Sequence, residues 1–216
     1  DWELFFPDTK SEEYKYWDGN INRWLKENKP VIIYKTLKAR EILKLIADCS
    51  YKCGDPGILF WDKHKKYSTV DFNEKTAVEN VNPCGEQSLH NNSSCNLGVL
   101  VLYKYVLHPF STMAEFNYVL FEQDCKLAVK IMNSLLDESI KKHPLEEQTE
   151  QSAYERRIGI GITGLADCLA MMGLKYNNSK ETFDFIEKIM QRKCKVEWET
   201  SVELAKELGC APALSD

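Results

Sequence analysis

The sequence predicts an α/β fold built around a parallel or mixed sheet. Short runs of β-branched and aromatic residues alternate with segments of helical periodicity along the whole 216-residue chain. Within the helical segments, apolar residues recur at three- and four-residue steps. Glycine and proline punctuate the joins.

Trp2–Phe6 is expected to be a short strand that ends at Pro7. A polar and aromatic stretch follows to about Lys29. Val31–Tyr34 is β-branched and predicts a second strand. Ala39, Ile42, Leu43, Ile46 and Cys49 mark one face of an amphipathic helix ending near Gly54. Ile58–Phe60 predicts another strand, and Val81 to Ser94 a loop. Leu97–Val106 is strand-like. Phe116–Lys141 predicts a long helix, with Leu120, Leu127, Ile131 and Leu135 as its apolar stripe. Glu146–Glu155 is acidic and polar and is expected to be a surface loop. Ile158–Ile162 predicts a buried strand, and Leu165–Met172 a helix that stops at Gly173. Asn178 with Glu181 forms a capping-box signature for a last helix that runs to Gly209.

Composition excludes some function classes. The formal net charge is −5 and no block of Lys or Arg stands out, so nothing supports a basic nucleic-acid-binding face. No uninterrupted apolar run is long enough to span a membrane. The eight cysteines are spread along helical and strand-like segments, which suits reduced thiols in a reducing compartment and a cytoplasmic location. Cys49 and Cys53 have no second Cys/His pair at zinc-like spacing, and the four histidines are scattered.

The segment richest in chemistry is Asn82-Pro83-Cys84-Gly85-Glu86. Pro83 fixes its own φ, and Gly85 tolerates conformations that other residues avoid. On an extended loop, positions i−2, i and i+2 point to one side, so Asn82, Cys84 and Glu86 are expected to face one small ligand together. A blander reading makes Cys84 a buried loop thiol, with Asn82 and Glu86 in local turn hydrogen bonds. Cys95 opens Cys95-Asn96-Leu97-Gly98 and is either functional, a core cysteine, or the disulfide partner of Cys84.

Gly159-Ile160-Gly161-Ile162-Thr163-Gly164 matches the dinucleotide-binding pattern. The acids about 20 residues on, Glu181 and Asp184, fall at the start of a helix and not at the end of a strand. The segment is therefore expected to be a glycine-rich turn that packs a helix close to a strand.

The loop resembles the active-site loop of ribonucleotide reductases, closest to the adenosylcobalamin-dependent class. Trp17-Asp18-Gly19, Gly54-Asp55-Pro56-Gly57-Ile58, Cys95-Asn96-Leu97-Gly98 and Arg156-Arg157-Ile158-Gly159-Ile160-Gly161 with Gly164-Leu165-Ala166-Asp167 resemble successive blocks of that family, in its order. After Gly98 the chain departs from it, with Val99-Leu100-Val101 where many members have a small residue, an apolar residue and Asn.

The resemblance implies a ten-stranded α/β barrel with the active-site loop threaded through its centre. Residues 1–216 would be the middle of that one catalytic domain, with its N- and C-terminal parts missing. It also implies reduction of ribonucleotides to deoxyribonucleotides by thiyl-radical chemistry. Cys84 would be the thiyl radical and Glu86 the general base. Asn82 would orient the ribose, with Pro83 and Gly85 shaping the substrate loop. Cys95 would be one of two reducing thiols, its partner lying upstream of Asp1. A phosphate-binding segment is expected downstream of Asp216.

Pro83 and Gly85 around the cysteine point to adenosylcobalamin as cofactor. The implied partners are a ribonucleotide, a thioredoxin-like dithiol reductant, the remaining parts of the reductase and, as an option, a second copy in a homodimer. Two other classes stay open: an inactive nucleotide-binding or scaffold fragment of a split enzyme, and a nicotinamide-binding oxidoreductase. The isolated chain is expected to be inactive and to expose apolar surface.

Overall fold

The computed structural model describes residues 1–69, 71 and 74–215. The chain divides into two compact units, residues 1–59 and 60–216.

In the first unit, β1 (Trp2–Pro7) precedes a 3-10 turn (Glu12–Tyr16) and a short helix, α1 (Ile21–Lys26). The sequence reading had no element between Pro7 and Lys29. Local capping makes α1: the Asn20 side chain accepts a 3.0 Å hydrogen bond from the Arg23 amide. Trp24 is the buried anchor, donating from Nε1 to the Pro30 carbonyl at 2.8 Å. β2 (Val31–Leu37) pairs antiparallel with β1, with a bulge between Leu4 and Phe5. α2 (Ala39–Cys53) ends where Gly54 takes a left-handed φ of 82°. The expected strand at Ile58–Phe60 does not form. Residues 55–60 pair with no strand, and Phe60 is the N-cap position of the next helix.

The second unit opens with α3 (Trp61–Tyr67). A hairpin follows, from β3 (Asn80–Val81) to β4 (Ser88–Leu89). β5 (Asn96–Val101) is shorter than the expected strand. It passes into a 3-10 turn (Leu102–Tyr105) and β6 (Val106–Leu107), which pairs antiparallel with β7 (Glu115–Phe116).

α4 (Tyr118–Ile140) is the expected long helix, with the opposite face buried. Phe121, Cys125, Val129, Met132 and Leu136 are inside, while the Leu120, Leu127, Ile131 and Leu135 stripe is exposed. Both faces carry apolar residues at helical spacing, so periodicity alone could not choose between them.

The expected loop at Glu146–Glu155 is a helix, α5. Its Glu146 and Glu147 suit the positive end of the helix dipole. Its buried positions, Ser152 and Glu155, are polar and so gave no apolar signal. β8 (Ile158–Thr163), α6 (Leu165–Met171) and α7 (Lys180–Leu208) complete the unit. The cap of α7 is Ser179 in place of Asn178, its side chain accepting from the Thr182 amide.

β5 and β8 run parallel, from Asn96↔Ile158 to Val101↔Thr163. The core lies between this pair and α4, α6 and α7, around Leu100, Leu102, Phe121, Cys125, Cys168 and Ile189. α7 is tied in by Lys193, whose Nζ donates to the Ile160 carbonyl at 2.5 Å and pairs with Glu197 at 2.8 Å. Among the described residues the strands pair only in twos, in four separate sheets, and close no barrel. No described helix is long and apolar enough to cross a membrane.

Candidate active site

The hairpin loop from Asn82 to Gln87 is a closed turn and not an extended segment. The Gly85 amide donates to the Asn82 carbonyl at 2.9 Å, and the Asn82 amide donates to the Gln87 carbonyl at 3.3 Å. The Asn82 Oδ1 accepts from the Gln87 amide at 3.0 Å. Gly85 sits at φ +81°, which a side chain disfavours and glycine allows. Residues in a closed turn do not alternate sides, so Asn82, Cys84 and Glu86 are not aligned by the alternation of an extended strand. The local hydrogen bonds of the blander reading form at Asn82. They shape the loop while Cys84 and Glu86 stand exposed. Cys84 is not buried, and all eight cysteines are free, so no disulfide joins Cys84 to Cys95.

The β5–β8 pair builds the other half of the site. α4 covers one face, where a Cβ on Gly98 would stand 2.9 Å from the Met132 sulfur. The opposite face carries Leu97 and Val99, 54% and 62% exposed, opposite Gly159 and Gly161. Cys95 precedes the first paired residue of β5 and Arg157 precedes that of β8. A Cβ on Gly159 would lie 2.5 Å from Leu97 Cδ2, 3.2 Å from Gln87 Nε2 and 3.4 Å from Cys95 Sγ. The bare backbone of Gly159 thus lets the turn and the thiol approach the strand together. The first two glycines of the dinucleotide-like pattern lie inside this strand. The third, Gly164, has φ +72°, and its Cβ would strike the Tyr103 ring. The expected glycine-rich turn is thus confined to Gly164, where α6 packs closely on the 3-10 turn that follows β5 and not on a strand.

The consecutive arginines divide the anchoring. Arg156, at a left-handed φ of 51°, reaches α4 and bonds Asn133 at 3.0 Å and Asp137 at 2.6 Å. Arg157 reaches the hairpin, donating from Nη1 to the Ser88 carbonyl at 2.6 Å, and pairs through Nε with Glu155. Glu155 also accepts from Gln151 Nε2 at 2.6 Å. On the residue before Cys95, the Ser94 hydroxyl lies 2.7 Å from Ser152 Oγ and 3.2 Å from His143 Nε2. Burial pushes the Cys95 thiol up to about 11; Arg157 pulls it down, while Glu86 and Glu155 push it further up.

The structure therefore brings Glu86 into the field of Cys95 and puts Cys84 at the exposed tip of the turn. The sequence reading gave no role to Arg157, Glu155 or Gln87. Cys95-Asn96 and Arg157-Ile158 each begin a strand, and pairing those two strands in parallel would have placed Arg157 beside the thiol. A cleft of about 740 Å³ opens beside these groups, with Gln87, Glu155 and Arg157 on one side and Glu197 and Trp198 of α7 on another.

Residues 1–215 match the family model of the ribonucleotide reductase barrel domain. The chain is 33% identical to a vitamin B12-dependent ribonucleoside-diphosphate reductase of Thermoplasma acidophilum, over 84% of this chain and 22% of that protein. It is 29% identical to the protein of the same description from Mycobacterium tuberculosis, over 85% of this chain and 25% of the relative. It is 26% identical to the ribonucleoside-diphosphate reductase large subunit of Variola virus, over 97% of this chain and 26% of that subunit. The chain spans about a quarter of the length of these relatives.

Proposed function

The chain belongs to the ribonucleotide reductase barrel domain family, and from that premise we propose that it carries the radical and one reducing thiol of a ribonucleotide reductase. The observation that carries this reading is that an exposed Cys84 sits on a glycine turn whose Gln87 meets Cys95 over the same bare Gly159, 3.2 Å and 3.4 Å from where a Cβ would stand.

The chemistry explains the residue types. The ribose 2′-carbon is not activated, so its hydroxyl leaves only once a radical exists next to it. A Cys84 thiyl takes the 3′ hydrogen atom, because S–H and such C–H bonds are of similar strength. Glu86 takes the 3′-hydroxyl proton and assists loss of the 2′-hydroxyl as water. Asn82 has its carbonyl oxygen committed to the Gln87 amide. Its amide nitrogen is the group that hydrogen-bonds the sugar and steadies the intermediate. Cys95 and a second thiol of the reductase then supply two electrons and two protons, one leaving in the water and one reaching the 2′-carbon, and become a disulfide that a thioredoxin-like dithiol reduces, while Cys84 returns the hydrogen atom to the 3′-carbon.

We take both units as parts of one barrel domain. Parallel strands are ordinarily covered on both faces, and the exposed Leu97, Val99 and outer α4 stripe are surfaces that further barrel elements would cover. The isolated chain is then inactive.

Two of the three relatives described above are named for vitamin B12, and adenosylcobalamin is our proposed cofactor here. The exposed Cys84 thiol fits a radical source that approaches from outside the turn. Adenosylcobalamin, when bound, supplies a radical through homolysis of its cobalt–carbon bond. Cys84 is the residue that would give up its S–H hydrogen atom and be left as the thiyl, and Pro83 and Gly85 set how its sulfur is presented.

The test uses the reductase completed to the length of its relatives. Deoxynucleotide formation is measured with and without adenosylcobalamin, alongside electron paramagnetic resonance for a cobalt(II)–thiyl signal. Activity is expected only with the cofactor, without a diiron-type subunit and without strict anaerobiosis. Glu86→Gln should keep the radical signal and slow or divert the later steps. Activity that ignores cobalamin and appears on adding a metal-bearing subunit would reassign the radical source. No activity under either condition would overturn the function.

A further inference from the structure

We propose that Arg157 is a positioning residue for the Cys95 thiol, holding the catalytic turn against the strand pair and supplying the cation that steadies the sulfur when it carries negative charge. The inference rests on the reductase reading for why that charge matters. When a dithiol reductant attacks the disulfide at the partner sulfur, the S–S bond breaks and its electron pair leaves on Cys95 as a thiolate. The reductant's second thiolate then attacks its own first sulfur, breaking the mixed disulfide and releasing the partner sulfur as a second thiolate, so the reductant loses two electrons and the Cys95 pair gains them. The Cys95 thiolate finally takes a proton. A cation beside the leaving sulfur lowers the cost of that departure.

The geometry is specific. Cys95 and Arg157 occupy matching places, each one residue ahead of the first rung of the parallel ladder Asn96↔Ile158. The Arg157 side chain is only 15% exposed and its Glu155 partner 1% exposed. Two of its nitrogens are committed, Nε to Glu155 and Nη1 to the Ser88 carbonyl. The third, Nη2, is buried with no hydrogen-bond partner among the described residues. A buried guanidinium N–H without an acceptor is costly, so its retention beside a thiol has a physical reason if the sulfur becomes its acceptor on ionising. The other charged groups facing Cys95 are Glu86 from the turn and Glu155. His143 reaches the segment only through the Ser94 hydroxyl. Among the described residues, Arg157 is thus the one cation of the charged groups acting on this thiol, set against two carboxylates.

The experiment reads Cys95 directly and does not depend on turnover. In the completed reductase, iodoacetamide labelling of Cys95 is followed by peptide mass spectrometry across pH, with circular dichroism melting as a check of folding. At about pH 8, well below the thiol's midpoint, labelling follows the thiolate fraction. Arg157→Gln should slow Cys95 labelling by roughly tenfold or more, and Glu155→Gln should speed it several-fold. Arg157→Lys should restore much of the rate while losing part of the clamp, because a lysine keeps the charge without the fork. The opposite signs separate a charge effect from a packing effect, which would change labelling in the same direction in both variants. If Arg157→Gln fails to fold, Arg157→Met, which keeps the apolar stem without the charge, takes its place with the same slowing expected. Unchanged Cys95 labelling in the Arg157 variant that folds, or the same direction of change there and in Glu155→Gln, overturns the role of Arg157. Wild-type deoxynucleotide formation measured in parallel tells that failure apart from a failure of the reductase reading.

Discussion

Cys84 rides an exposed six-residue hairpin loop closed by backbone hydrogen bonds. Cys95 is half-buried at the mouth of a parallel strand pair, among an arginine and two carboxylates. The glycines beside them serve opposite ends. Gly85 supplies a backbone conformation, whereas Gly159 supplies space. The contrast teaches that one thiol is built to be reached and the other to be held. A radical position needs access and a firm approach geometry. An electron-donating thiol needs a controlled charge environment.

Replacing each sulfur should break the comparison most sharply. Cys84→Ser in the completed enzyme should lower deoxynucleotide formation by roughly 10³-fold or more and abolish hydrogen exchange at the substrate 3′-carbon, since an alcohol cannot form the radical at comparable cost. Substrate binding should persist, because the change is nearly isosteric. Cys95→Ser should leave radical initiation intact while stopping multiple turnover with a dithiol-protein reductant. Matching, complete loss of radical formation in both variants would erase the division of labour.

Glycine replacements sharpen the comparison at the level of stability. Gly159→Ala should cost about 1–2 kcal/mol in urea unfolding, because Gln87 and Cys95 crowd the new Cβ even if exposed Leu97 swings aside. Gly85→Ala should cost about 1 kcal/mol through its left-handed φ. Asparagine separates the two mechanisms. It tolerates a left-handed φ and should be mild at position 85, but its bulk should make position 159 worse than alanine. The same ranking at both positions would show that the two glycines are not doing different things.

The smallest effect is a pH dependence. Burial raises three thiols of the second unit from an ordinary 9.0: Cys95 and Cys168 to about 11, and Cys125 to about 12. The neutral forms are favoured in the folded state, so their contribution is complete below about pH 9. It is lost as pH rises toward 11–12, because the unfolded chain releases those protons first. The thermal midpoint should fall across that window, and a Cys125→Ala, Cys168→Ala double variant should flatten the fall. A midpoint that rises above pH 9 would contradict the burial.

What was legible in the sequence follows from how many signals each element carried. α2, α6 and α7 had periodicity and a terminal glycine together, Gly54, Gly173 and Gly209, while β1 ended on Pro7 and β2 was marked by its β-branched run alone. α5 was missed because its inward positions are serine and glutamate, which look like a solvated surface until Arg157 and Gln151 are seen to satisfy Glu155. Ile58–Phe60 has strand composition and, among the described residues, no strand to pair with. The candidate site was legible as a set of residues. Its geometry was not, because a turn replaces alternation and because the neighbour of Cys95 comes from a strand far away in the chain.

That distance has a kinetic side. Asn96 and Ile158 pair in parallel across about 60 residues, so their contact closes a long loop and gains nothing locally until it is made. α4 lies wholly inside that loop and can form from neighbouring residues, whereas the β5–β8 rungs require the chain ends of the loop to find each other. The environment of Cys95 is therefore expected to form late in folding, which pulsed alkylation of Cys95 during refolding checks. Before Arg157 arrives, the sulfur is an ordinary solvated thiol, and only the finished topology gives it its charged neighbour.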